Sequence, residues 1–327
     1  MKKITAFGEI MMRITPKDNM LIEDTDQFET YYGGTESNTL VTLSSLGNKT
    51  TYITKIPNDS LGKGVMRHLR KHNVGLEGVV IGGDSLGLYF MEQGFGQRPS
   101  KVIYHRKGSS VNTLKLEELD LNKIFENANW FHVTGISLGI SEHAKELAIE
   151  LVKYAKERKM IVSFDFNYRS KLWTIESARE AYMEIMPYVD VCFGNIFDLN
   201  NLLLIKEEND NKTIDKLLSM YNIKCLINTK REIINSNAHS ISAHAYTNET
   251  NYQTKKYSFE ILDRIGAGDA FVAGVVHVLN QDINDIDNAL EFGVKCDILK
   301  HFVKGDVLSI TKEEVGNFKL EGQDVIR

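Results

Sequence analysis

One short segment near the C-terminal end of the chain combines two glycines with two carboxylates. Residues 263–271 read DRIGAGDAF and run into an apolar helical pattern. Gly266 and Gly268 permit backbone conformations closed to other residues, and a glycine turn that opens a helix directs free N–H groups and the positive end of the helix dipole at one point. Such a turn suits an anion, phosphate above all. The predicted chemistry is phosphoryl transfer, in which the amides neutralise charge and Asp269 accepts the proton of an attacking hydroxyl.

Other interpretations of this segment account for less of it. Asp269 could serve only as a helix N-cap, but a cap needs neither the flanking glycines nor a second aspartate, Asp263, six residues earlier. The sequence contains no Walker A, H-R-D or D-F-G motif, which disfavours a P-loop NTPase and a protein kinase. A dinucleotide fingerprint would need a third glycine where Phe271 stands. An ordinary aspartate has a pKa of about 3.9, so Asp269 is expected to be ionised at neutral pH.

Polar residues also follow several predicted strands. In an open parallel sheet, ligands bind outside the carboxyl ends of the strands, so these side chains are expected to meet at one edge. A single polar residue after a strand is commonplace, and the coincidence over several strands is what favours a functional site. Gly135 follows the predicted strand at 130–133, and Asp165, Asn167 and Arg169 follow the one at 161–164. Asn195 and Asp198 follow the predicted strand at 189–193, and Thr229, Lys230 and Arg231 follow the one at 225–227.

The elements that would position these groups alternate between short apolar runs and longer helical patterns. This alternation predicts a mainly parallel sheet in an α/β fold. Residues 15–32 and 82–108 are β-like and lack helical spacing, so they predict a small second β unit. Further strands are predicted at 4–10 and 51–56, and helices at 38–46, 61–71, 141–158, 175–186, 214–221, 270–280 and 286–302.

The composition excludes several classes of protein. The chain has 327 residues, of which 42% are hydrophobic and 25% charged, as in an ordinary globular protein. Its three cysteines lie far apart, which disfavours a disulfide framework and a structural zinc site. The net charge of -5 and the lack of a basic cluster do not suggest nucleic-acid binding. No stretch is long and apolar enough for a transmembrane helix, and Glu9 and Arg13 interrupt the apolar N-terminus, so we expect a cytoplasmic location and no membrane partner.

Two motifs in the same order resemble those of the ribokinase-like (PfkB) carbohydrate kinases. Residues 263–271 are similar to the C-terminal signature of that family, and residues 32–38, YGGTESN, are similar to its N-terminal Gly-Gly segment, which contacts the sugar. The resemblance covers essentially the whole chain. It implies a ribokinase-like three-layer α/β sandwich, with a mainly parallel central sheet and a small β lid. We therefore expect one kinase domain over 1–327, with a lid formed from about 17–32 and 87–107.

Within that family the sequence most resembles the 2-keto-3-deoxygluconate kinases. The likeness is carried by Glu36 and Asn38, by tyrosines and an arginine in the β segments, by residues 165–173, DFNYRSKLW, and by residues 300–306, KHFVKGD. It implies that Asp269 is the catalytic base and that Gly266, Ala267 and Gly268 form the anion hole. It also implies a sugar-acid site lined by Gly34, Asn38, Tyr89, Tyr104, Arg106, Asn167, Arg169 and Asp306.

The residue types suit an acidic sugar. Arginine presents a planar fork that holds a carboxylate with two charge-assisted hydrogen bonds, and a neutral sugar would not require Arg106 and Arg169 together. The alternatives are a structural salt bridge between Arg169 and Asp165 or another acid at the same edge of the sheet, and ordinary packing for Tyr89 and Tyr104.

The chain departs from the family pattern on the nucleotide side. The usual Asn-x-x-Glu motif, tied to magnesium and phosphate, is here Asn195-Ile196-Phe197-Asp198. Asp198 is one methylene shorter than glutamate, which favours an indirect contact with the metal through water. The segment around Thr229 lacks the usual glycines, although Lys230 or Arg231 would supply charge. We expect the nucleotide to be bound by Asn195, Thr229, Lys230, Arg231, Gly266 and Gly268.

The sequence thus predicts an ATP- and Mg²⁺-dependent sugar-acid kinase. It would phosphorylate 2-keto-3-deoxygluconate at the terminal hydroxyl and give 2-keto-3-deoxy-6-phosphogluconate. One alternative is a kinase of a neutral sugar, such as fructose or ribose, or of a nucleoside. Another is a non-catalytic sugar-acid binding protein. The predicted partners are a small sugar acid and ATP, and the family resemblance also implies a homo-oligomer.

Overall fold

The strands form two sheets in the computed structural model, which describes residues 2–320. The strands are β1 Lys3–Phe7, β2 Met11–Pro16, β3 Phe28–Gly33, β4 Lys49–Ile56, β5 Gly75–Ile81, β6 Leu88–Glu92, β7 Lys101–His105, β8 Ala128–Thr134, β9 Ile161–Asp165, β10 Val191–Phe193, β11 Cys225–Asn235, β12 Ala238–Tyr246, β13 Asn251–Gln253 and β14 Tyr257–Glu260. The helices are α1 Thr35–Ser45, α2 Ser60–Lys71, α3 Leu121–Ile124, α4 Gly135–Gly139, α5 Glu142–Glu157, α6 Ile175–Ile185, α7 Ile196–Leu202, α8 Asp210–Tyr221, α9 Ala267–Leu279, α10 Ile286–His301 and α11 Lys312–Asn317.

The large sheet has the order β13-β12-β11-β10-β9-β8-β1-β4-β5, and β14 pairs with β12. The strands from β11 to β5 are mutually parallel, and β12 to β14 add an antiparallel edge. One apolar cluster packs helices α5, α6 and α8 on one face, and a second packs α1, α9 and α10 on the other. Strands buried on both faces are mainly apolar, as β8 and β9 are, and their buried polar side chains His132 and Ser163 hydrogen-bond to each other at 2.8 Å. The predicted parallel α/β fold is confirmed.

Polar residues fix where several helices begin. The Asp59 carboxylate accepts hydrogen bonds from the amides of Leu61 and Gly62 at the start of α2. Side chains of Ser141, Thr174 and Asn195 cap α5, α6 and α7 in the same way. Each cap satisfies backbone donors that have no partner inside the helix. Helices α2, α5 and α6 therefore begin close to the points that the sequence predicted, whereas α7 was not predicted.

The small sheet has the order β3-β2-β6-β7, in agreement with the predicted second β unit, but its composition differs from the prediction. Strand β2 belongs to this sheet, pairing antiparallel with β3 and parallel with β6. Residues 17–24 form two short 3-10 turns, and Asp18 and Asn19 have positive φ. Asn and Asp tolerate that conformation, which breaks a strand. The β structure between residues 17 and 32 is thus limited to β3.

Strand β11 is longer than the strand predicted at 225–227. The strand continues through Thr229, Lys230 and Arg231 to Asn235, in an antiparallel ladder with β12. Successive side chains of a strand point to opposite faces. Thr229 and Arg231 therefore lie on the face opposite to Lys230, and the three residues do not act as one loop.

Cys192, Cys225 and Cys296 are all buried free thiols. Within residues 2–320, no helix combines the length and the hydropathy needed to cross a bilayer.

Candidate active site

The glycine turn leads directly into helix α9. Gly266 is the N-cap residue, with φ 80° and ψ 2°, a left-handed conformation that favours glycine. A Cβ atom at Gly266 would also overlap the carbonyl oxygen of Asp306. A Cβ at Gly268 would meet no protein atom within 4 Å. Gly266 thus packs against the protein, whereas Gly268 faces open space, as an anion site requires.

Asp269 is the third residue of α9, and its side chain does not cap the helix. Its Oδ2 accepts a 2.7 Å hydrogen bond from Nδ2 of Asn38, whose Oδ1 in turn accepts from the amide of Gly34 at 3.3 Å. The interpretation of Asp269 as only a helix cap is therefore wrong. Asn38 connects the two glycine motifs, which are more than 200 residues apart in the sequence.

Burial raises the pKa of Asp269 to about 7, and the nearby Glu36 carboxylate adds to the rise. The hydrogen bond from Asn38 and the charge of Arg169 lower the pKa in part. This corrects the expectation of an ordinary aspartate pKa. A carboxylate whose pKa lies near neutral pH is a stronger proton acceptor than one near 4, and about half of it is still in the charged form at neutral pH.

A cavity of about 360 Å³, here called cavity A, lies beside Asp269. Its wall includes Gly266, Gly268 and Asp269 from the turn and the start of α9. The wall also includes residues from β6, β7, α1 and the loops after β3, β7, β9 and α10. Among them are all the residues of the predicted sugar-acid site: Gly34, Asn38, Tyr89, Tyr104, Arg106, Asn167, Arg169 and Asp306.

The two arginines of that prediction differ in their surroundings. Arg106 forms an ion pair with Glu9, which also accepts a hydrogen bond from Ser109. Arg169 is exposed, and within residues 2–320 no carboxylate oxygen lies within 4 Å of its guanidinium. The alternative of a salt bridge between Arg169 and Asp165 is therefore not observed. The charge of Arg169 is available to a ligand in cavity A.

A second cavity of about 340 Å³, cavity B, shares Asp165, Asn167, Arg169 and Gly268 with cavity A. It is lined also by the predicted nucleotide-side residues Asn195, Asp198 and Thr229. The two cavities thus meet at the start of α9. A group bound in one lies next to a group bound in the other at Gly268.

Four predicted residues lie elsewhere than expected. Arg231 lines cavity A rather than cavity B, and its Nη2 lies 3.7 Å from Oδ2 of Asp297. Lys230 is exposed and lines neither cavity, because it points to the other face of β11. Gly266 lines cavity A only, and Ala267 is buried and lines neither.

Cavity B presents oxygen ligands that fit Mg²⁺. Burial raises the pKa of Asp165 to about 7, with a further contribution from Asp269, and raises the pKa of Asp198 to about 6. Asp198 also accepts a 2.8 Å hydrogen bond from the amide of Asn195. No group of three or more His, Cys, Asp or Glu side chains in residues 2–320 could hold a metal ion alone. The carboxylates of Asp165 and Asp198 are oxygen donors of the kind that Mg²⁺ binds in ones or twos, together with water and phosphate.

Several buried charged residues around cavity A were not predicted. Glu36 accepts hydrogen bonds from the amide and hydroxyl of Thr134, at 3.1 and 2.8 Å, and from Ser137 at 2.7 Å. Glu9 and Arg13 are also buried. Their signal was present in the sequence, because both interrupt an apolar N-terminal run, which indicates buried charges with partners.

The whole chain is similar to several known proteins. The model of the pfkB family carbohydrate kinases matches residues 1–309. A 2-dehydro-3-deoxygalactonokinase from Haloferax volcanii is 33% identical over 316 residues, which cover 96% of this chain and 95% of that protein. The crystal structure of a 2-dehydro-3-deoxygluconokinase from Thermotoga maritima is similar with a TM-score of 0.93 and 34% identity, over 98% of both chains. That of a PfkB family carbohydrate kinase from Listeria grayi has a TM-score of 0.93 and 30% identity, over 97% of this chain and 99% of that one.

Proposed function

The chain belongs to the pfkB family of carbohydrate kinases and is an alcohol phosphotransferase, and on that premise we propose that it transfers the γ-phosphoryl group of ATP to the terminal hydroxyl of 2-keto-3-deoxygluconate. The observation that carries this proposal is the pair of cavities that meet at Gly268. In this proposal the acceptor binds in cavity A beside Asp269, and the nucleotide binds in cavity B. The product would be 2-keto-3-deoxy-6-phosphogluconate.

The charges of cavity A support an acidic acceptor. Its wall carries four arginines: Arg106, Arg169, Arg231 and Arg264. Arg106 and Arg231 already face carboxylates of the protein, Glu9 and Asp297. Arg169 and Arg264 are exposed and have no ion-pair partner within residues 2–320. A substrate carboxylate is the group that these two guanidiniums would bind in a bidentate manner.

The names of two relatives favour the same class of substrate. The Haloferax volcanii protein is named for 2-dehydro-3-deoxygalactonate and the Thermotoga maritima protein for 2-dehydro-3-deoxygluconate, which differ only in the configuration of a sugar carbon. Both are keto-deoxy sugar acids with a terminal hydroxyl. The galactonate epimer is therefore a second candidate substrate for this chain.

The reaction follows from the arrangement of the residues. As the terminal hydroxyl oxygen forms a bond to the γ-phosphorus, Asp269 accepts its proton, and the bond from the γ-phosphorus to the bridging oxygen of ADP breaks. The free amides at the start of α9 stabilise the charge on the transferring group. Asp165 and Asp198, with Asn195 beside them, would hold Mg²⁺, directly or through water. Mg²⁺ would supply charge neutralisation for the phosphates.

The small sheet would act as the lid of this site. Strands β6 and β7 contribute Tyr89 and Tyr104 to the wall of cavity A, and Arg106 follows β7 directly. Closure of such a sheet would exclude water and limit hydrolysis of ATP. Because ATP is an intracellular substrate and the three cysteines are free thiols, we also infer a cytoplasmic location.

A coupled ADP-release assay with Mg·ATP tests the proposal. The acceptors are 2-keto-3-deoxygluconate, its galacto epimer, fructose, ribose and adenosine. We expect turnover with the keto-deoxy acids. Turnover of fructose, ribose or adenosine alone would identify a neutral-acceptor kinase, and ADP release with none of them would favour a binding protein.

Arg169→Ala tests the arginine argument separately. We expect kcat/KM for the sugar acid to fall by about 10²-fold, the cost of a lost charge-assisted contact. The matched control is Arg158→Ala, because Arg158 stacks on Tyr154 on helix α5 and lines neither cavity. Equal activities of the two variants would show that Arg169 does not bind the acid.

A further inference from the structure

A buried arginine outside the catalytic set connects the small sheet to the glycine turn. Arg13 lies in the middle of β2 and is 1% exposed. Its Nη1 is 2.8 Å from Oδ2 of Asp263 and 3.4 Å from Oδ2 of Asp306. These carboxylates are 2% and 1% exposed. One nitrogen atom therefore bridges two acids from two different loops.

Asp263 uses its carboxylate to hold both of these loops. Its Oδ1 accepts a 3.1 Å hydrogen bond from the amide of Ile265, in the turn that leads to the anion hole. Its Oδ2 accepts a 3.1 Å hydrogen bond from the amide of Gly305, in the loop after α10. The position of Asp263 thus determines how the glycine turn lies relative to that loop.

Asp306 makes the corresponding connections on the side of the substrate. Its Oδ1 accepts a hydrogen bond from the hydroxyl of Tyr89 on β6, and its side chain lines cavity A. Its carbonyl oxygen packs so closely on Gly266 that no Cβ would fit there. A displacement of Asp306 would therefore move the acceptor wall and the anion hole together.

A buried lysine lies beside this cluster. Its Nζ, that of Lys300, lies 3.4 Å from the backbone carbonyl oxygen of Asp263 and 3.1 Å from that of Val303. The side chain of Arg13 therefore makes the ion pairs with the two carboxylates. Buried ion pairs seldom stabilise a fold more than well-packed apolar residues do, so the arrangement is better explained by the geometry that it imposes.

We propose that Arg13 is a positioning residue for phosphoryl transfer: by bridging Asp263 and Asp306, it holds the glycine turn and the acceptor wall in register with the small sheet. Arg13 does not line cavity A, and it acts through the two acids. The kinetic part of this inference rests on the proposed function. The structural part, the ordering of the two loops by Arg13, does not.

The test compares Arg13→Met, Arg13→Lys and Lys156→Met. Because a single nitrogen of Arg13 makes both contacts, a lysine can replace it, unlike at a bidentate site. The matched control, Lys156, forms a 2.7 Å ion pair with Asp190 away from both cavities. With the acceptor that the wild type uses, we expect kcat/KM of Arg13→Met to fall by about 10²-fold, as for a displacement of about 1 Å. Arg13→Lys should retain activity within about tenfold, and the control within about twofold.

Hydrogen exchange on the ligand-free proteins supplies a readout that does not depend on the substrate. The amides of Ile265 and Gly305 should exchange faster in Arg13→Met than in the wild type, and at about the wild-type rate in Arg13→Lys and in Lys156→Met. Unchanged protection of both amides in Arg13→Met would overturn the proposal even if activity fell. If the wild type turns over no sugar acid, the proposed function fails. The hydrogen-exchange comparison still decides whether Arg13 orders the two loops.

Asp263→Asn keeps the test decisive if Arg13→Met does not fold. The substitution conserves volume and removes the charge that binds Arg13 and the amide of Gly305. We expect kcat/KM to fall at least about tenfold, with faster exchange at Gly305. A variant with kcat/KM within about threefold of the wild type and full protection at Gly305 would refute the role given to the bridge.

Discussion

Two glycines in one turn are expected to respond differently to the same substitution. At Gly268, the second residue of α9, a Cβ would meet no protein atom, and φ lies outside the left-handed region. Gly268→Ala should therefore fold normally and gain about 0.5–1 kcal/mol, because alanine favours a helix over glycine. At Gly266, φ is 80° and a Cβ would overlap Asp306. Gly266→Ala should lose at least about 2 kcal/mol.

Although Gly268→Ala should not lose stability, we expect it to lose activity. The added methyl group would enter the junction of cavities A and B, where the transferring phosphoryl group is proposed to lie. Blocking access to one anion-hole donor costs about 10²–10³ in kcat, or about 3–4 kcal/mol of transition-state binding. Gly268→Ala is thus expected to be at least as stable as the wild type and nearly inactive.

Urea unfolding and the coupled ADP-release assay separate these effects. The urea midpoint reports stability when the slope of the transition is unchanged, and kcat and KM for ATP report the site. A Gly268→Ala variant with kcat within about threefold of the wild type would refute the assignment of the anion hole. A loss of stability as large as that of Gly266→Ala would refute the claim that Gly268 faces open space.

Three further predictions concern the base and the nucleotide side. Asp269→Asn should lower kcat by at least about 10²-fold. It should also raise the urea midpoint at pH 8. The pKa of Asp269 is raised in the fold to about 7, so the stability that its protonated form gives the wild type below the unfolded-state pKa is lost as the pH rises through 7, whereas asparagine carries no charge at any pH. In the wild type, kcat/KM should fall as pH decreases below about 7, since the protonated carboxyl cannot accept a proton, and a pH profile flat down to pH 5 would contradict Asp269 as the base. Lys230→Ala should leave the KM for ATP unchanged, whereas Thr229→Ala should raise it severalfold, because only Thr229 lines cavity B. Titrations with ATP measure both values, and a larger rise in KM for Lys230→Ala than for Thr229→Ala would contradict the prediction.

Local features of the sequence were sufficient for much of the fold and the centre of the site. Gly266 and Gly268 before an apolar helical pattern predicted an anion site at a helix start, because left-handed φ and free amides are properties of a few adjacent residues. The apolar run of β9 predicted a strand buried on both faces, and the polar residues after it predicted the edge of the sheet. The predicted sugar-acid residues came from the family resemblance, which is likewise read from short motifs.

Non-local contacts explain where the predictions failed. The polar residues Thr229, Lys230 and Arg231 lie within β11, because pairing with β12 satisfies their backbone groups, and no local pattern encodes that partner. Their alternation across the strand then separates Lys230 from cavity B. The first strand was likewise predicted too long, since β2 leaves the large sheet to pair with β3 and β6.

The sequence by itself determined which residues can bind phosphate, accept a proton or hold a carboxylate, because those abilities belong to residue types and to the conformation of a short turn. Only the tertiary structure decided the pKa values of these residues and their positions relative to one another. The pKa of Asp269 depends on burial and on Glu36, and Asp263, which accepts a hydrogen bond from the turn, pairs with Arg13, 250 residues away in the chain. Burial and Coulomb forces act through space rather than along the chain, so they exist only once the fold has brought these residues together.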